Sequence, residues 1–532
     1  MAGRAVKTSE GPPAIERLMS MDGALRLART HLERGNLGEA ENVAQQIAAH
    51  KGGHPDAFHI MAIAAFRGGR LDKAIANAQQ AVARAPKTAA FWSNLAEMLR
   101  RRGFVERGHS AARRAVTLDP GHVAGWNNLG ILEFERGNFA AAADACRRAL
   151  ALDGEAANSW NNLGNALARL ERDGEAHEAY GRAIALRPGY SEAMVNDALC
   201  WREEAEFERA GARLDQAIVA SPRSANAHLS RAMVNFLRGE TARARIEYEW
   251  RLALPRAAPD GLPGARWQGE AIAGKRIFVF SEQGLGDTIQ SLRHLPALAA
   301  RGAASISLFV PRNLRGLAAH NFPHVEVVSR LPGAGAADYH CASMSLPLLL
   351  DGPAGEVVSG EPYLAVEPEK AAVWRDRLQA FQGRKIGLVW AGNGSYQNDH
   401  NRSMKAAMLA PLLDAPGCSF FSLQIGPAAT QVSALKPRIE DLGPRVPNMS
   451  ETAAAISALD LVISVDTSLA HLAGALGKPV WTMLPHVPDW RWGMDGAAHP
   501  LYRTMRLFRQ RSRRDWPGVV AEMRAALEEG AA

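Results

Sequence analysis

From about Met21 to Leu254 the apolar positions recur every 34 residues. Phe58, Trp92, Trp126 and Trp160 hold this spacing, and Met61, Leu95, Leu129 and Leu163 follow them by three. Small residues come next at Ala62, Ala96, Gly130 and Gly164, then at Ala81, Ala115, Ala149, Ala183 and Ala217. Each block closes on Pro86, Pro120, Pro188 or Pro222, with Gly154 substituting once; the register also catches Gly35, Ala40, Gly239 and Ala244. An apolar stripe, a small-residue crossing and a proline stop predict two antiparallel helices per block, in seven blocks. After Pro255 the texture changes. A connector, PRAAPDGLPGARWQG, leads into short apolar runs that alternate with helical stretches. Strands are predicted at Arg276–Phe280, Ser305–Val310, Val325–Val328, Lys385–Trp390, Phe420–Leu423, Leu461–Val465 and Val480–Leu484. A helical connector at about Ala371–Phe381 separates them into two groups, and an amphipathic helix at about Trp516–Leu527 is expected to pack back across the first. Two doubly wound lobes follow, with strand ends facing a cleft.

Leu461–Leu484 shows the chemistry of such a lobe most plainly. A buried strand ends at Asp466, Thr467 and Ser468, whose side-chain oxygens cap the helix that Gly477 stops. Unpaired N–H groups and the positive helix end meet there, which suits phosphate. His471 falls in the first helical turn, where the same field favours its neutral form.

Composition narrows the class. A chain of 532 residues with 47% apolar and 22% charged residues has ample core, and a net charge of +7 fits an anionic small molecule at least as well as nucleic acid. Cys146, Cys200, Cys341 and Cys418 are far apart and read as reduced thiols. The N-terminus has no apolar signal core and no run approaches a membrane span, so a cytoplasmic protein is expected.

The 34-residue pattern resembles the tetratricopeptide repeat, whose arrays present a long concave face to proteins or peptides. Asn94, Asn128, Asn162 and Asn196 share one position of the first helix in four successive repeats, with Asn127 and Asn161 beside two of them. A primary amide donates and accepts at once, so the column suits a peptide backbone and is similar to the asparagine ladder of protein O-GlcNAc transferase. A structural amide between repeats is the alternative.

In the second half, GLGDTIQ (Gly284–Gln290) is similar to the G-x-G-D opening of glycosyltransferase family 9, the heptosyltransferase-like enzymes. DTSLAHLAGALGKPV (Asp466–Val480) resembles that family's donor-site motif. The resemblance implies an α plus α/β chain: an N-terminal tetratricopeptide α-solenoid followed by a GT-B fold of two Rossmann-like lobes. It divides the chain into a flexible tail (1–20), the array (21–254), a linker (255–275), an acceptor-side lobe (276–384), a nucleotide-sugar lobe (385–510) and a C-terminal helix (511–532). It also implies sugar transfer without a metal, consistent with the lack of a D-x-D triplet, and no cofactor beyond the nucleotide-sugar substrate.

Family alignment places the base for the acceptor hydroxyl at Asp287, a residue equally suited to capping a helix, with Glu282 in reserve. Gly284 and Gly286 let backbone approach a substrate closely. Arg402 aligns with the family's phosphate-contacting lysine, Lys405 being the other candidate. Asp466, Thr467, Ser468 and His471 would meet phosphate or sugar, Gln424 the base or ribose, and Asn393 sugar hydroxyls unless it only caps its own turn. The PDWRWGMDG segment (Pro488–Gly496), with Arg506, Phe508 and Arg509, is placed to close over the donor. Arg511, Arg513 and Arg514 read as a solvated surface. The implied activity is an inverting glycosyltransferase acting on Ser or Thr of a protein held by the repeats, with flagellin as the favoured acceptor. The donor is a CMP-nonulosonic acid such as pseudaminic acid, or a UDP-sugar such as UDP-GlcNAc. The alternatives are a non-catalytic scaffold and an enzyme acting on lipid-linked or polysaccharide acceptors.

Overall fold

The computed structural model describes residues 20–49, 53–333, 335–353 and 360–529. The tail expected over 1–20 lies outside them, apart from Ser20. The chain forms two compact units, one ending at Cys200 and one beginning at Trp201.

The first unit is made of paired helices, from Met21–Glu33 with Leu37–Ala48 to Ala157–Arg169 with Asp173–Leu186. Ser191–Glu203 follows and runs into the second unit, which continues the series with Phe207–Ala220 and the pair Ala225–Leu237 and Thr241–Tyr248. The periodic columns have separate physical jobs. The indoles of Trp92, Trp126 and Trp160 donate to the carbonyls of Pro86, Pro120 and Gly154 at 2.9, 2.8 and 2.8 Å, tying each repeat to its own boundary. The turn between the helices of a pair takes a left-handed residue: Gly35, Gly69, Gly103, Gly137 and Gly239 supply it, but Glu171 (φ 59°) and Ala205 (φ 62°) hold the same place without a glycine. Where paired helices cross, each small residue sits in a core cluster with the residue sixteen positions on: Ala62 with Ala78, Ala96 with Ala112, Gly164 with Tyr180.

The second unit holds two sheets. β1 (Ala265–Arg266), β2 (Arg276–Phe280), β3 (Ser305–Phe309), β4 (Glu326–Val328) and β5 (Tyr339–Ala342) form a parallel sheet in the order β1-β5-β2-β3-β4. β6 (Arg384–Val389), β7 (Cys418–Ser422), β8 (Ile439–Asp441), β9 (Leu461–Val465), β10 (Val480–Leu484), β11 (Ala498–His499) and β12 (Tyr502–Arg509) form the second, in the order β11-β12-β10-β9-β6-β7-β8. It is parallel except for β11. The order reverses beside β2 in one sheet and between β6 and β9 in the other, so the loops carrying Asp287, Arg402 and Asp466 all leave strands at switch points.

Two expectations change. The connector before β2 is part of the first lobe: it carries β1 and buries Trp267 and Ile272. The C-terminal helix Trp516–Glu529 covers the second sheet, not the first lobe. Alternate residues of β6, β9 and β10 (Ile386, Leu388, Ile463, Met483) form an apolar face, and Val519, Val520, Met523 and Leu527 bury it.

The last repeat is held to the lobes by buried polar contacts. Arg251, 2% exposed, donates to both carboxylate oxygens of Glu282 at 3.0 and 2.7 Å and to Ser345 Oγ at 2.7 Å. Phe236 stacks on Trp490 with ring centroids 4.0 Å apart.

Candidate active site

At the end of β9, Asp466 is buried, and Thr467 caps the helix Ser468–Ala475, its Oγ1 accepting from Leu469 N. Burial, then the neighbouring Asp489, pushes the Asp466 carboxyl up to about 6 against the pull of Arg402. His471 lies in the first turn with Nδ1 3.0 Å from the Tyr502 hydroxyl and its ring stacked on Trp492 at 4.9 Å. Burial, reinforced by Arg491, His499, Arg293 and Arg402, holds this imidazole well below its usual range and therefore neutral. A Cβ added to Gly286 would lie 2.8 Å from His471 Cδ2. The two motifs, one from each lobe, thus touch at a position where only glycine fits.

Beyond β6, Arg402 donates to Asp399 at 3.0 Å and lies over the Tyr396 ring at 4.6 Å. Gly392 admits the guanidinium: a Cβ there would be 2.6 Å from Arg402 Nη2. Lys405 is exposed outside this cluster. Gln424 is 2% exposed and its amide is committed to backbone. Its Oε1 accepts from Trp390 N and Ala391 N at 3.0 and 2.9 Å, and its Nε2 donates to the carbonyls of Ala391 and Ile425. It shapes the loop after β6 and has no polar atom left for a ribose. Asn393 Oδ1 accepts from Ser395 N and Oγ, capping its own turn.

In the first lobe, Asp287 Oδ2 accepts from Gly284 N at 2.8 Å, closing the start of the helix Leu285–Leu292, while Oδ1 pairs with Arg491 Nη2 at 2.5 Å. Asp287 is therefore both a helix cap and one half of an ion pair. Glu282 is no reserve base, because its carboxylate is buried and occupied by Arg251 and Met344 N.

Within PDWRWGMDG, Arg491 has no local sequence signal to single it out, yet it sits at the centre of these contacts. Its guanidinium also donates to Asp489 at 2.8 Å and Gln290 at 3.1 Å and lies 3.5 Å from the Tyr248 hydroxyl. The following loop is held by Arg509, which donates to the carbonyls of Trp492, Gly493, Asp495 and Gly496. Arg506 instead lies over the rings of Trp481 and Phe508. Arg511 and Arg514 are exposed, but Arg513 is half-buried and donates to the Glu203 carbonyl at 2.8 Å. An open cavity of about 230 Å³ adjoins Arg491, walled by Phe236, Tyr248, Arg293, Met344 and Trp490 among others.

In the repeats, the asparagine column bridges successive first helices. Asn128 Nδ2 donates to the Ser93 carbonyl, Asn162 to Asn127 and Asn196 to Asn161, at 2.9 to 3.0 Å, and Asn94 lies 2.6 Å from His59 Nε2. All four are half-buried, so one edge of each amide is used within the array. Among the described residues no helix is long and apolar enough to cross a membrane.

Comparison with known proteins matches the tetratricopeptide repeat at residues 25–75, 61–122, 99–157, 127–191 and 202–261. Glycosyltransferase family 9 (heptosyltransferase) matches at residues 428–499, a segment that contains Asp466–Val480 but not the Gly284–Gln290 loop. Protein FlbA of Caulobacter vibrioides is 27% identical over 387 residues, 66% of this chain and 64% of that protein, so the chain spans just under two thirds of this relative's length. Similar solved structures include YrrB, described as a TPR protein with an unusual peptide-binding site (19% identical, 33% of this chain and 91% of that one, TM-score 0.27). Another is a tetratricopeptide repeat protein from Parabacteroides merdae (15% identical, 43% and 90%, TM-score 0.38). The chain thus carries tetratricopeptide repeats over residues 25–191 and 202–261 and, in its C-terminal half, a segment that matches glycosyltransferase family 9.

Proposed function

We propose that the chain is a metal-independent, inverting glycosyltransferase of the GT-B type that moves a sugar from a nucleotide donor to a Ser or Thr hydroxyl of a protein recruited by the repeats. The observation that carries this reading is the contact of Gly286 with His471, which sets Asp287 on one lobe beside the capped helix start on the other. In a single displacement the acceptor oxygen attacks the anomeric carbon and Asp287 takes its proton. The bond to the leaving phosphate breaks and its electron pair stays on the phosphate oxygen. The N–H groups after Thr467 and the Arg402 guanidinium supply the positive field that a leaving phosphate needs. Neutral His471 donates a hydrogen bond to phosphate or sugar. The cavity beside Arg491 is the acceptor's approach, and flagellin is the favoured acceptor. CMP-nonulosonic acid and UDP-sugars are the donor classes.

Thermal unfolding with CMP, UDP, GDP and ADP, each with EDTA, tests the donor site. One nucleotide at about a hundred times its dissociation constant adds about 2.7 kcal/mol to the unit that binds it. The expected result is stabilisation by one nucleotide that His471→Ala abolishes. Stabilisation by none, together with no mass increase on flagellin incubated with the protein and either donor class, would refute the reading.

A further inference from the structure

We propose that Tyr248, at the end of the seventh repeat, is a positioning residue for Asp287, acting through Gln283 and Arg491; the inference rests on the transferase reading above. The Tyr248 hydroxyl lies 2.8 and 3.0 Å from the Gln283 side-chain amide and 3.5 Å from Arg491 Nη2. These two neighbours lead to the two oxygens of one carboxylate. Gln283 holds a left-handed backbone (φ 60°) immediately before Gly284, whose N–H donates to Asp287 Oδ2. Left-handed geometry is unfavourable for a side chain of this size, so the loop needs an external hold. Arg491 Nη2 meets Asp287 Oδ1. A hydroxyl on a repeat helix therefore touches both supports of the proposed base.

The repeat itself does not call for that hydroxyl. Equivalent positions hold Ala78, Ala112, Cys146 and Leu214, which carry no hydroxyl, and Tyr180, whose hydroxyl donates within its own repeat to Asn165. The Tyr248 ring meets Trp490 edge-on at 5.5 Å and Phe236 at 6.0 Å, so Tyr248→Phe keeps the packing and removes only the hydroxyl. A carboxylate set about 1 Å out of line lowers the rate of transfer by about a hundredfold without weakening donor binding.

The test uses the full chain with Tyr248→Phe, and Arg491→Lys as a second variant that keeps the charge and loses the fork. Hydrogen exchange of peptides covering residues 283–288 is expected to quicken about tenfold, as loss of one net hydrogen bond would cause, with residues 461–484 unchanged. Transfer to an acceptor is expected to lose about ten- to a hundredfold in kcat at unchanged donor KM. Unchanged exchange over 283–288 in Tyr248→Phe overturns the proposal, and so does faster exchange with wild-type kcat. Faster exchange in a protein whose wild-type form transfers nothing upholds the tether and removes the transferase reading alone.

Discussion

Tyr180 and Tyr248 stand at the same position of the fifth and seventh repeats, and both are almost fully buried. The first turns inward: its hydroxyl donates to Asn165 at 2.9 Å, within its own repeat. The second turns outward, to Gln283 and Arg491 in the lobes. Sequence periodicity sets where a side chain leaves the helix, and the neighbours decide what its polar atom is for. The contrast extends to the units. In the repeats before Cys200, paired helices meet at alanine and glycine crossings and asparagine side chains bridge successive first helices; the last repeat is joined to the lobes by a buried arginine–glutamate pair.

The strongest way to break this contrast is to remove the buried pair. Arg251→Met leaves Glu282, with 3% of its side chain exposed, without its partner. Removing one member of such a pair costs about 3–5 kcal/mol, whereas replacing both with apolar groups is often neutral. Denaturant unfolding of Arg251→Met is expected to show that loss, and Arg251→Met with Glu282→Leu to recover part of it, because Glu249, 2.6 Å from Arg251, loses its contact in both variants. In the first unit, Arg102→Ala breaks an exposed pair with Asp72 and is expected to leave the midpoint unchanged. The same reasoning predicts that a fragment beginning at Ala257 fails to fold while one beginning at Trp201 folds, as judged by cooperative thermal unfolding.

Two carboxylates, one in each unit, respond to pH with opposite sign. Glu97 is held below the usual carboxylate range: burial opposes this, but Arg100 and Arg101 outweigh it. Its stabilisation is present above the unfolded pKa and is lost as pH falls through the lower folded value. Asp466 runs the other way. Its folded value is raised to about 6 from 3.8, so the folded state holds a proton more tightly than the unfolded chain. That contribution is full below about pH 4 and lost as pH rises through about 6. The stability of the wild type relative to Asp466→Asn should therefore fall between pH 4 and pH 7, measured by denaturant titration at each pH. A flat difference would mean that Asp466 is ionised without penalty and that the loop after β9 is wetter than its burial indicates.

These cases show what the sequence makes legible. Repeat columns are visible because each answers a local need, such as an indole donating six residues back to a boundary carbonyl. The two motifs are visible because strand ends and helix caps are local too. Arg491 and Tyr248 are 243 residues apart, and nothing in either neighbourhood announces the other. Gln424 and Glu282 resemble site residues because polar side chains at strand ends commonly meet ligands; here each is consumed by buried backbone or a buried cation. The C-terminal helix is hard to place from sequence for a related reason, since its amphipathic pattern states that one face is buried but not against which sheet.

A smaller effect tests the crossing itself. Tyr180 faces Gly164, where an added Cβ would lie 2.6 Å from the ring, whereas Tyr248 shares its core with Ala232. Gly164→Ala overpacks that contact at about 1–3 kcal/mol and recovers up to about 1 kcal/mol of helix propensity, for a net loss of about 1–2 kcal/mol. Gly181→Ala, on the same helix pair with open space around it, should instead gain up to about 1 kcal/mol. Equal outcomes for the two would show that the ring of Tyr180 moves freely and that the inward-turned tyrosine is not fixed by its repeat.

The turn between paired helices gives the mildest comparison and the one least affected by neighbours. Gly137, in the first unit, and Ala205, in the second, hold the same place two repeats apart, with φ of 79° and 62°. A Cβ at Gly137 would meet nothing within 4 Å, so only backbone conformation distinguishes the residues there. A left-handed non-glycine costs about 1–2 kcal/mol, from which the greater freedom of glycine in the unfolded chain must be subtracted. Ala205→Gly should therefore raise the stability of its unit by about 0.5–1 kcal/mol, and Gly137→Ala should lower that of its own by a similar amount, each read from the denaturant midpoint at constant slope. Opposite signs of matched size would show that the turn obeys one rule on both sides of Cys200. The difference between the units would then lie in what the helices touch rather than in how the repeat is built. A loss in Ala205→Gly would instead mean that the methyl group at this turn has a packing partner that outweighs the strain.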